Sequence, residues 1–263
     1  MYLPIPTQPD CATAWLAAVK AVDAHDHHEA ANVIVDVANP TLGGDLSHPV
    51  VAKVESFLRG FDKSVETVAN TIFPRALYRR HGHPEFIEFF HDKVLDRVRK
   101  GGKWSGYYFE RMTSLPVVGR AKPLDQLSYL IDRLKNPDNP SKNKYEVSLF
   151  DPDRDLNGSV YGGQCLSFLS FHVHEADGVR TLRLTAQYRN QYYIEKLLGN
   201  LIGLGRLLEY VAKESKLAVG SLTIVSTHAH VDVPKTSAVK ANRFEVTRLI
   251  SECEDLLPVK AVA

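Results

Sequence analysis

The chain has 263 residues, 44% of them hydrophobic and 24% charged, with a formal net charge of +1. That balance belongs to an ordinary folded globule and excludes both a disordered chain and bulk electrostatic attraction to nucleic acid. No apolar run approaches the roughly 20 residues that span a bilayer, and MYLPIPTQPD lacks a basic stretch followed by an apolar core, so a cytoplasmic protein with no membrane partner is expected. Cys11, Cys165 and Cys253 are an odd, widely spaced set without CxxC pairing, which argues for free thiols over a disulfide framework or structural zinc site. With no linker in view, residues 1–263 are expected to form one domain.

In chain order, CATAWLAAVKAVDAHD has helical spacing and ANVIVDVANP reads as a strand stopped by Pro40. A helix follows at HPVVAKVESFLRGF, with Pro49 suited to its first turn and Gly60 to its end. SVETVANTIF and PEFIEFFHDKVLDRVRK are two further helices around the loop PRALYRRHGHP, and RRHGHPE within and after it is read as an exposed loop and not a phosphate cradle. SGYYFERM is a short strand or turn. PLDQLSYLIDRLKN is an amphipathic helix with Leu124, Leu127, Leu130, Ile131 and Leu134 on one stripe. The loop NPDNPSKNK leads into the strand YEVSLFD. Two glycines then open onto QCLSFLSFHV, a half-buried strand with Leu166, Phe168, Phe171 and Val173 as its apolar positions. The turn EADG returns the chain along GVRTLRLTAQYRN as a hairpin. The longest helix is YYIEKLLGNLIGLGRLLEYVAKESK, followed by the strand VGSLTIVSTHAHV and a last helix, NRFEVTRLISECEDLL. Helices early and strands clustered late indicate an α+β fold around one mixed sheet.

Cys165 at the mouth of its strand is either a small buried hydrophobe or a nucleophile. The pattern around it resembles thymidylate synthase and its relatives, the pyrimidine hydroxymethylases. QCLSFLSFHV is similar to that family's nucleophile strand, with Cys165 in the nucleophile's place. Arg189 in QYRN and Asn200 in LLGNLIGL keep the family's interval of eleven residues, and His230 in STHAH falls thirty residues after Asn200. YYFERM resembles the tyrosine motif at Tyr108, DQLSYLIDRLKN the helix after it, and FLRG the turn closing an early helix. The similarity covers about residues 50 to 232.

The resemblance implies a thymidylate-synthase-like mixed sheet covered by helices, assembled as a homodimer, that adds a one-carbon unit to carbon five of a pyrimidine nucleoside or nucleotide. Cys165 would attack carbon six, with 5,10-methylene-tetrahydrofolate as donor. Arg189 would bind an anion and lower the thiol's pKa, and Asn200 would read a uracil-like ring, unless it caps its helix instead. His230 and Tyr108 would assist.

Departures are as informative. The family's cross-dimer arginine pair falls on Asn143 and Lys144, leaving Lys144 as one cation without the bidentate fork, and the serine after Arg189 is Asn190. Lys53 stands where the family has its proton-transferring glutamate, with Glu55 turned to another face. Asp232 replaces a tyrosine, and the ending LLPVKAVA is only slightly like the family's apolar tail. A non-catalytic nucleotide-binding or scaffold protein is the alternative reading. HDHHE has metal-ligand residue types, but adjacent histidines at a helix end do not face one site.

Overall fold

The computed structural model describes residues 2–99, 108–136, 138–139, 141–156 and 164–257. Strand β1 (Leu3–Gln8) precedes α1 (Cys11–Asp23), whose Asp10 and Thr13 form a reciprocal cap. Strand β2 (Glu29–Val37) leads to α2 (Pro49–Arg59), α3 (Val65–Ile72) and α4 (Arg75–His81). Helix α5 (Glu85–Phe89) runs through a π-helical stretch (Phe90–Leu95) into α6 (Asp96–Arg99). Then come α7 (Tyr108–Thr113), α8 (Gln126–Lys135), β3 (Tyr145–Ser148) and the single turn α9 (Pro152–Asp155). The hairpin β4 (Leu166–Ala176) and β5 (Val179–Tyr188) follows. A short β6 (Gln191–Tyr192) enters a π-helical turn (Tyr193–Leu197) continuous with α10 (Leu198–Glu214). Strand β7 (Ala218–His230) and α11 (Arg243–Asp255) complete the chain.

The fold is α+β. Six strands lie in the order β1-β2-β7-β5-β4-β3, with β6 pairing the end of β7, and the sheet is mixed: β1–β2 and β5–β7 are parallel, the other pairs along that order antiparallel. Its two faces differ. The row Ile5, Val35, Ile224, Ala186, Leu169 and Val147 is buried against the helices. The adjacent row, Pro4, Ile34, Val225, Gln187 and Phe168, is exposed or half-exposed. Helix α10 is the hub beneath the buried face, its residues 198–208 entirely buried.

Three expectations are corrected. PRALYRR is helix α4, because Tyr78 and Phe73 join an aromatic cluster with Phe86 and Tyr210 that holds the segment against α10. YYFERM contributes a helix, α7, where a strand or turn was expected. Phe168 is 37% exposed while Leu169 is buried, because a β-bulge between Leu166 and Phe168 breaks the two-residue alternation. Strand β1 was not anticipated at all, since Pro4 and Pro6 disqualify it as anything but an edge, and an edge is what it forms. The EADG turn is a two-residue hairpin loop with Asp177 and Gly178 both at positive φ (52° and 74°), and Gly accepts that conformation without strain. All three cysteines are free thiols. The glycine approach 162–163 and the tail 258–263 lie outside the described residues.

Candidate active site

Cys165 lines a cavity of about 270 Å³. Helix α3 contributes Thr67, Val68 and Thr71 to the wall, and Tyr108 at the start of α7 faces them. The β5–β6 junction adds Tyr188, Asn190 and Gln191, while the helix beyond it adds Lys196 and Asn200, one turn apart.

The position of Cys165 is over-determined. Arg111 grips Asp155 with both guanidinium nitrogens (2.7 and 2.9 Å), the two side chains being only 5% and 4% exposed, and also donates to Leu149 O. Asp155 in turn accepts the backbone N–H of Gln164, and these donors hold its carboxyl below the usual range despite the burial. Gln164 O accepts from Arg189 Nε (3.0 Å), and Cys165 O from the Arg189 N–H (2.9 Å). Leu166 N–H donates to Tyr108 Oη at 3.4 Å. Neither Arg111 nor Asp155 carries any local sequence signal of this role.

Arg189 therefore lies beside the thiol, but its side chain is exposed and engaged with the backbone instead of lining the cavity. Burial pushes the Cys165 thiol above its ordinary value; Arg189 and Lys196 pull the other way without cancelling it. Arg189 lowers the thiol as expected, but desolvation outweighs a guanidinium whose field is shared with water, so the net shift is upward. Burial likewise holds the Tyr108 and Tyr188 hydroxyls well above the usual phenol range, so both are neutral donors.

Asn200 is not a helix cap. The helix is continuous from Tyr193, and Asn200 sits inside it, 3% exposed, with no side-chain hydrogen bond among the described residues. Tyr188 Oη and Gln191 Nε2 are likewise buried without partners, although Gln191 Oε1 accepts from Ser226 Oγ at 2.6 Å. An unpaired buried polar group costs about 1–3 kcal/mol, so these two, beside the Asn200 amide on the same cavity, mark a surface prepared for a hydrogen-bonding ligand. Lys196 also lines the wall and makes no ion pair among the described residues. Sequence reasoning missed it; the usable signal was its spacing four residues before Asn200.

The other expected residues are more scattered. Asn190 lines the cavity, its Oδ1 2.6 Å from His228 Nδ1, and His228 Nε2 lies 3.3 Å from Glu29. His230 faces a second cavity of about 480 Å³ that shares only Tyr192 with the first and also exposes Lys63, Asp232, Lys235 and Lys240. Burial keeps the His230 imidazole below its ordinary value, opposed by Glu29 at 3.9 Å. Lys144 is exposed just before β3 and lines neither cavity. Lys53 points away, 2.5 Å from Glu252 on α11. Glu55 is buried and occupied, accepting the Val65 N–H (2.7 Å) and Arg59 Nε (2.6 Å), so it fastens α3 to α2. No group of three metal-ligating side chains occurs among the described residues, and no helix there is long and apolar enough to cross a membrane.

Three curated relatives align with this chain, each named "Putative thymidylate synthase". That of Methanopyrus kandleri is 30% identical over 145 residues, 55% of this chain and 62% of its own. Those of Methanococcoides burtonii and Methanosarcina mazei are 31% and 30% identical over 108 residues, 41% of this chain and 46% of theirs. The chain is a diverged thymidylate-synthase-like protein. No protein-family model matches it, and the alignments span less than two thirds of each relative. Neither Lys53 nor Glu55 on α2 lines the cavity of Cys165.

Proposed function

We propose that this chain is a transferase that adds a one-carbon unit to carbon five of a pyrimidine nucleoside or nucleotide, with Cys165 as nucleophile. The observation that carries the reading is the shared cavity of Cys165 and the unpartnered, buried Asn200 amide. An amide both donates and accepts, which suits the adjacent N–H and carbonyl of a uracil-like edge. The Cys165 thiolate adds to carbon six, and the displaced electron pair moves to carbon five and its neighbouring carbonyl oxygen. Lys196 and the Tyr188 hydroxyl, both on the wall, stabilise that developing oxyanion. Carbon five then attacks the one-carbon electrophile, loses its proton, and the thiolate leaves. Tyr108 and Arg189 hold the thiol-bearing strand, while Asn190 and His230 orient the sugar end.

The donor implied by the resemblance is 5,10-methylene-tetrahydrofolate, which supplies carbon at the oxidation level of formaldehyde. Lys235 and Lys240, brought together by a β-bridge at the second cavity, have the charge to hold its glutamate carboxylates. A homodimer through the open sheet face completes the reading, with Lys144 reaching toward the partner's substrate.

The test is intact-mass spectrometry after incubation with 5-fluoro-dUMP or 5-fluoro-dCMP, with and without methylene-tetrahydrofolate. A covalent adduct lost in Cys165→Ser is expected; an adduct surviving that substitution rejects the nucleophile. The displaced Lys53 and Glu55 favour a second reading, a nucleotide-binding protein without turnover, for which saturable binding without any adduct is the signature.

A further inference from the structure

The segment RALYRR contributes nothing to the thiol cavity. As helix α4 it places Arg75 and Arg79 one turn apart on one face, and α10 opposes them with Arg206 and Lys213, two turns apart on one face. All four line a separate cavity of about 210 Å³ whose floor is formed by Phe73, Tyr78 and Tyr210. It has no lining residue in common with the cavity of Cys165.

Three glutamates stand near these four cations, and two of them are engaged. Glu209 is the one acid on the wall, and it makes no ion pair among the described residues. Glu66 is committed to the fork of Arg206 Nη1 and Nη2 (2.9 and 2.8 Å), and Glu214 accepts from the Tyr78 hydroxyl. Arg75, Arg79 and Lys213 form no salt bridge among the described residues, although Lys213 Nζ lies 5.4 Å from the Tyr78 ring centroid. Asp45, in the loop after β2, is close enough for Arg75 to lower its pKa slightly, but its own hydrogen bonds go to Ser47. Burial above all pulls Arg75 below its ordinary value, the guanidinium groups of Arg79 and Arg206 add to that, and Glu209 and Glu66 oppose it.

Arg206 is 8% exposed and committed to Glu66, and it stands on the wall with Arg75, Arg79 and Lys213. Crowded cations repel, and one anion in the cavity relieves that penalty. A single carboxylate offers two acceptor atoms; a phosphate offers three or more and up to two charges, matching the guanidinium groups of Arg75 and Arg79 and the Lys213 ammonium better.

We propose that the cavity between α4 and α10 binds a phosphate group, free or carried on a small phosphorylated molecule. The full chain is titrated calorimetrically with inorganic phosphate and, separately, glycerol 3-phosphate, at an ionic strength held constant with chloride. Saturable binding at one site per chain is expected, with a thermal midpoint that climbs with ligand concentration. Arg75→Gln and Arg79→Gln each weaken it about tenfold or more, since a charge-assisted hydrogen bond contributes on the order of 1.5–3 kcal/mol. Arg79 is exposed, so Arg79→Gln remains informative if Arg75→Gln perturbs folding. Lys196→Gln, which removes the cation lining the thiol cavity, leaves the affinity unchanged, which separates this site from that cavity. Tighter binding of glycerol 3-phosphate identifies an ester as ligand, and equal or weaker binding identifies the free ion. No saturable binding beyond the chloride control, or binding that survives both arginine substitutions, overturns the proposal.

Discussion

At the scale of single residues, the resting thiol is the point of control. Cys165 is desolvated upward while Lys196, on the same wall, favours its ionised form. Lys196→Met is expected to move the midpoint of iodoacetamide alkylation of Cys165 to higher pH and slow it at neutral pH. Lys196→Arg should restore much of that loss, whereas a Met variant with an unchanged midpoint removes Lys196 from the chemistry. Asp232 gives a second residue-level expectation. Its Oδ1 accepts the Ile194 N–H at 2.8 Å, its Oδ2 has no partner, and burial raises the carboxyl from 3.8 to about 7. Across that interval the folded protein keeps a proton that the unfolded chain has lost, so stability declines as pH rises from 3.8 to about 7 and levels off above. Asp232→Asn keeps an acceptor oxygen and removes the ionisation. It should flatten the pH dependence of the thermal midpoint and stabilise the protein at pH above about 8 by an amount on the order of a few kcal/mol.

At the scale of elements, the wall of the thiol cavity depends on how closely α3 approaches α10. A Cβ on Gly199 would come 2.6 Å from Val68 Cβ and 2.8 Å from Val65 O, and one on Gly203 would come 2.8 Å from Ala69 O. Helix propensity alone favours alanine over glycine by about 1 kcal/mol. Overpacking costs about 1–3 kcal/mol or more, and here backbone must move, so sterics prevail. Gly199→Ala should lower the thermal midpoint and displace Val68 and Thr71; a midpoint equal to or above wild type contradicts this packing. The same elements explain what could be read in advance. The 3.6-residue stripe of α8 and the Asp-Gly hairpin were legible because each is dictated within a few residues. Helix α4 was not: its seven residues are mostly polar, and it is held by Tyr210, 132 positions beyond Tyr78 in the chain.

At the scale of the molecule, the sheet has one buried face and one open one. The exposed row Pro4, Ile34, Val225, Gln187 and Phe168 crosses five strands, and two apolar positions on it, Ile34 and Val225, are direct cross-strand partners. A second copy placed on this face would need to bury roughly 1,200–2,000 Å² in total for a stable pair. Light scattering should therefore report a dimer, and Val225→Lys should yield a monomer, because a lysine there would be desolvated without a partner. A monomeric wild-type protein would exclude the arrangement.

The sequence by itself determined the family likeness, the α+β class and the set from which Cys165, Tyr108, Asn190 and Asn200 were drawn, because ordered spacing survives divergence. Only the tertiary structure decided which of these share a cavity, that Arg189 supports the strand while Lys196 lines the wall, and that His230 and Lys144 lie elsewhere. The reason is physical. Burial, which outweighs nearby charge at Cys165 and leaves Asn200 without a partner, is created by segments distant in the chain, and no local pattern encodes it.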